Sequence, residues 1–167
     1  MTKFLLAVHV LAAIVAIGPV TVAASMFPAA ARRAAAAPAE QAAEAVSTVR
    51  LLHRICRVYA EVGVVVPVFG FATASVMHVL GSAWLIAAIL LTAVAALVLG
   101  LLVLPSQHVI LGSLTGSAQD AGPDTEPAPP VDRATTARLA MLTGVFNLLW
   151  ATVTILMIVR PGSTTGA

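Results

Sequence analysis

The side chains in this sequence with chemistry to offer are few: His9, His53, His78 and His108, a lone Cys56, and the run Arg50, Arg54, Arg57, Glu61. Spacings of four, three and four put the members of that run on one helical face with His53 beside them, so Arg57 can neutralise Glu61 one turn further on. Two roles fit it. The arginines can lie among anionic lipid head groups, each contributing about 1 kcal/mol near the surface, or Glu61 can act as a proton or cation site. His9 and His78 make a second candidate. Two imidazoles at similar depth on facing helices are what a bis-histidine b-type haem in a bundle needs. The alternatives are a hydrogen bond from His9 to a helix carbonyl, to Asn147 or to a threonine, with His78 at the water interface, or a copper site using His9, Met77 and His78. His53 and Cys56, three apart, make half of a soft-metal site with no matching second pair, so no metal site is assigned. There is no Gly-rich phosphate loop, no serine-histidine-acid set and no pair of carboxylates deep in a span. Classical hydrolase or nucleotide chemistry is therefore not expected, no catalytic residue is assigned, and the reading leans towards a non-enzymatic chain.

The elements that must position these residues are membrane helices. The chain is 167 residues long, with 60% hydrophobic and 10% charged residues and a mean hydropathy of +1.01. Soluble domains run at about 45–50% apolar and about 25% charged. The expected architecture is an all-α polytopic membrane four-helix bundle forming a single domain over 1–167. A net charge of +2 is too small to imply nucleic acid. Cys56 has no partner for a disulfide within the chain, so compartment has to be read from topology.

The first span is placed at 4–26, where at about 1.5 Å per residue Phe4 to Met26 reaches about 34 Å, against a hydrocarbon core of about 30 Å. Lys3 before an apolar run also fits a cleavable secretory signal, but the run stays apolar to Met26 and Arg32-Arg33 follow, which favours retention. Pro19 cannot donate to the Val15 carbonyl, which predicts a bend. An alanine-rich stretch leads to a helical extension over 39–57 that enters the second span, 58–80, where Gly63, Pro67 and Gly70 predict a second bend and points of close packing. Gly81-Ser82 make a tight turn into the third span, 83–104, which has no ionisable group and reads as lipid-facing. Beyond Pro105, SQHVILGSLTG reads as an interfacial segment, and 113–131, rich in proline and acidic residues, as a disordered loop. Asp132 is a good N-cap for the fourth span, 134–159. On that span Thr143, Asn147 and Thr154 share a face that should turn inward, because an amide without a partner in hydrocarbon is expensive. Gly63, Gly70 and Gly100 would suit association with a second copy or a subunit of a membrane complex.

The segments FLLAVHVLAAIVAIGP in the first span and VRLLHRICRVYAEVGVVVPVFGFATA entering the second, together with the four-span layout, resemble the DUF2269 type of predicted integral membrane protein. The resemblance covers most of the chain outside the tails. More distantly, a histidine early in a first helix followed by a glycine is similar to the copper-resistance CopD-like proteins and to small haem-dependent protoporphyrinogen oxidases, which would imply that His9 is a ligand position. This chain has no lysine inside any span, so the second half of the oxidases' histidine-lysine pattern is missing. The reading is a small multi-pass protein of the inner (plasma) membrane, structural, accessory or transport-linked.

Arginine placement gives the orientation. Arg32, Arg33, Arg50, Arg54 and Arg57 lie between spans one and two, and Arg133 and Arg138 before span four, leaving Lys3 and Arg160 on the other side. Basic residues near span ends stay cytoplasmic, so both termini are expected outside. A C-terminal reporter that works only in the cytoplasm should therefore stay silent; activity there overturns the orientation.

Overall fold

The computed structural model describes residues 2–119 and 131–161. They form six α-helices: α1 Thr2–Ala35, α2 Ala39–Gly63, α3 Val65–Val76, α4 Ala83–Leu97, α5 Leu104–Gln119 and α6 Arg133–Val159, with a π-helical turn at Val98–Val103 joining α4 to α5. There is no strand among the described residues. Stacked end to end, these helices make four rods long and apolar enough to cross a membrane, at Lys3–Ala35, Ala39–Val76, Ala83–Gly116 and Arg133–Val159. The second rod has 38 residues, about 57 Å of helix and roughly twice the thickness of a hydrocarbon core. Apolar sequence begins at Phe4 immediately after Lys3, so the surplus length of the first rods falls at their arginine-bearing end.

Two boundaries differ from expectation. The first helix continues past Met26 to Ala35, holding both Pro19 and Pro28 inside it. Its reason is packing: Val20, Ala23, Ala24, Phe27, Ala31 and Ala34 recur every three or four residues and are all buried, largely against Val49, Leu52 and Cys56 of α2. Small alanines let the two axes approach, and the close packing this allows outweighs the one backbone hydrogen bond that Pro28 removes. The third rod does not stop at Leu104-Pro105 either. The wide turn at Val98–Val103, in which Leu104 donates to the Leu99 carbonyl, comes directly before Pro105 and absorbs the proline that an ordinary α turn would have to accommodate. Helix α5 then reaches Gln119. Of the loop expected over 113–131, residues 120–130 lie outside the described residues.

The second rod is interrupted near the proline where a bend was expected. The helix is interrupted at Val64, between α2 and α3, three residues before Pro67, whose missing N–H would leave the Gly63 carbonyl without its partner. Helices α3 and α4 are neighbours in sequence, yet α3 packs chiefly on α1 and α4 on α6. The hairpin between them is held by Ala74, Trp84 and Leu85. Ala88 and Ala95 of α4 are buried, so this span is not lipid-facing all round.

Gly63 and Gly70 are used within the chain: a Cβ on Gly63 would meet Ile17, and one on Gly70 would lie 3.0 Å from Cε1 of His9, whereas Gly100 faces open space. A branched side chain at Gly70 must therefore displace the imidazole. Gly70→Ile is expected to destabilise the protein by about 1–3 kcal/mol, read as a lower unfolding temperature in detergent, while Gly100→Ile should leave it unchanged.

Candidate functional site

The imidazole of His9 rests against Gly70, with Nδ1 3.0 Å from the Val66 carbonyl oxygen. A carbonyl can only accept, so Nδ1 carries the proton and donates it. His78 has a different post. Its φ of 54° is the left-handed conformation, and the bonds around it, His78 N–H to Ser75 O at 3.1 Å and Val79 N–H to Ala74 O at 3.2 Å, make a Schellman motif that ends α3. Helix from Val66 to Val76, about 15 Å of rise, separates the level of His9 from the start of that turn. The structure does not bring the two imidazoles together. On the fourth span, Asn147 donates from Nδ2 to Ser25 Oγ at 3.1 Å, tying α6 to α1. Its amide oxygen and the hydroxyl of Thr143 are buried without a partner among the described residues. Thr154 turns outward and donates to the Trp150 carbonyl.

The residues that do converge are those of the arginine stripe and the start of α5. An open groove of about 600 Å³ runs between the second rod and α5, lined by His53, Arg57, Ala60, Glu61 and Val64 on one side and by Leu104, Pro105 and His108 on the other. Arg57 Nε stands 3.5 Å from Glu61 Oε1, both side chains 71% exposed. The rings of His53 and His108 face each other at 6.0 Å between centroids, tilted by 41°. Behind them lies Gln107, fully buried. Its Oε1 is 3.1 Å from His53 Nδ1, and its Nε2 donates to Cys56 Sγ at 3.6 Å. An amide oxygen can only accept, so His53 Nδ1–H donates to Gln107 Oε1.

Gln107, and the contact of His108 with His53, were missed from sequence because the stretch after Pro105 reads as an interfacial segment. One signal was available. Gln107 stands four residues after Val103 and three before Ile110, both apolar, so it occupies a position on a buried stripe, and a carboxamide there requires a partner.

A family model described as a predicted integral membrane protein (DUF2269) matches residues 3–161. The chain belongs to the DUF2269 family. Comparison with curated proteins and with solved structures finds no match. The matched region takes in all four rods and every residue of the groove in this DUF2269 member.

Gln107 does three things at once: it fills space, holds His53 and donates to Cys56. Gln107→Leu keeps the volume and removes both hydrogen bonds, so the expected cost is about 1–3 kcal/mol, accompanied by a changed environment for His53 in side-chain NMR. An unaltered His53 signal would show that the amide does not hold the ring.

Proposed function

We propose that this DUF2269 protein is an accessory membrane protein that holds an anionic lipid head group in the groove between its second and third spans. The observation that carries the reading is the groove's division of chemistry: Ala60, Val64, Leu104 and Pro105 offer an apolar wall for the start of an acyl chain, while His53, Arg57 and His108 stand at its polar end. Arg50 and Arg54 continue the cationic face beyond it, exposed and without an acidic partner among the described residues. The Arg57–Glu61 pair is well exposed and worth only about 0–1 kcal/mol, so the guanidinium is free to turn to a phosphate, whose oxygens it matches in a bidentate fork. By the arginine rule this end faces the cytoplasm, which puts the groove in the inner leaflet of the plasma membrane and both termini outside.

The reading is tested by extracting the protein from membranes holding equal anionic and zwitterionic phospholipid and weighing the lipid that copurifies. The intact protein is expected to be several-fold enriched in the anionic species. The triple variant Arg50→Gln, Arg54→Gln, Arg57→Gln should lose most of that enrichment while keeping its elution profile. Equal recovery of the two lipids by the intact protein, or full enrichment by the variant, refutes the proposal.

A further inference from the structure

His53 and His108 are brought together by two elements, α2 and α5, that are far apart in sequence. We propose that they form a two-imidazole site for a divalent transition-metal ion at the polar end of the groove. The inference goes beyond the lipid reading and rests on different observations. The first is spacing. With about 2.1 Å between a ring nitrogen and a tetrahedral ion, two imidazoles sharing it have centroids about 5 Å apart; the observed 6.0 Å is about 1 Å wider, a gap that a small rotation of the two side chains closes.

The second is the support behind the ligand. A metal-binding histidine characteristically donates its other ring N–H to a carboxylate, a carbonyl or water, which fixes the tautomer and raises the basicity of the ligating nitrogen. His53 has such a partner in the Gln107 carboxamide oxygen, 3.1 Å from Nδ1. Gln107 is itself held from behind by Cys56, so the ring is oriented before any ion arrives. Cys56 is buried and turned to Gln107, which makes it a support for the site and leaves the ligation to the imidazoles.

The donor set selects the ion. Imidazole suits zinc, copper and nickel, whereas calcium and magnesium want oxygen ligands. No group of three or more histidine, cysteine or acidic side chains with metal-ligand geometry occurs among the described residues. The ion is therefore held by two protein nitrogens, with its other positions filled by water or by an anionic oxygen. Such a site is exchangeable and leaves the ion open to a second ligand entering along the groove.

The test uses full-length protein without a polyhistidine tag, in nanodiscs of zwitterionic lipid, titrated with zinc by calorimetry. One zinc per chain is expected. His53→Ala and His108→Ala should each weaken binding at least tenfold, His53→Gln and His108→Gln serving where the alanine variants do not elute as the intact protein does. His9→Ala and His78→Ala should bind as the intact protein. Gln107→Leu, which keeps both ligands, should weaken binding by about tenfold. No zinc binding by the intact protein, or undiminished binding by either the His53 or the His108 variant, overturns the site. Since anionic lipid is absent from these discs, loss of the metal result leaves the lipid enrichment experiment standing, and the reverse holds too.

Discussion

In hydrocarbon there is no water to complete a broken hydrogen bond, so every backbone carbonyl a proline deprives of its donor has to be accommodated by the chain itself. Four prolines stand within the rods, at 19, 28, 67 and 105, and much of what is particular about this fold follows from how they are handled. Pro28 is kept inside α1 by the alanine-lined contact with α2. Pro67 is met by a break at Val64, and Pro105 by a π-helical turn. The Val66 carbonyl, beside the break, takes a further donor from His9. This histidine is thus tied to the interrupted part of the second span, and the absence of a side chain at Gly70 is what gives its ring room.

The π-helical turn stands in the rod that bears one side of the groove. One extra residue in a helix rotates everything after it relative to everything before. Ala88 and Ala95 carry the buried stripe of the third rod up to the turn, Leu99 and Val103 carry it through the turn, and Gln107, Ile110 and Leu114 continue it afterwards. Gln107 lies in the interior against α2, and its neighbour His108 on the groove opposite His53. Adjacent residues on a helix point about 100° apart, so an inward amide and an outward imidazole follow each other there.

Outside the groove, polar contacts are few and mostly local. Hydroxyls of Thr73, Thr92, Thr152 and Thr154 donate to carbonyls one turn back, the ordinary way for a threonine to be satisfied in lipid. Arg160, left-handed at the end of α6, lies over the Trp84 ring at 5.9 Å and joins the fourth span to the hairpin between spans two and three. Such a contact suits a membrane boundary, where an aromatic face and a cation both find water nearby.

What the sequence determined by itself was whatever depends on composition and spacing along one helix. Four apolar rods, the pairing of Arg57 with Glu61, the inward turn of Asn147, and the interruption near Pro67 are all of this kind, since each follows from residues within a few turns of one another or from the cost of polar groups in lipid. What only the tertiary structure decided was which helix faces meet. Two histidines legible as a pair by leaflet, His9 and His78, are held at different levels, one by a carbonyl and the other by the end of a helix. His53 and His108, which no spacing connected, are made neighbours by the packing of α2 on α5, and a helix that absorbs a proline by widening carries no mark of it in the residues that do so. Local energetics sets the rods, while the rotation of one rod against another is fixed by contacts between residues distant in sequence, and that is where the groove came from.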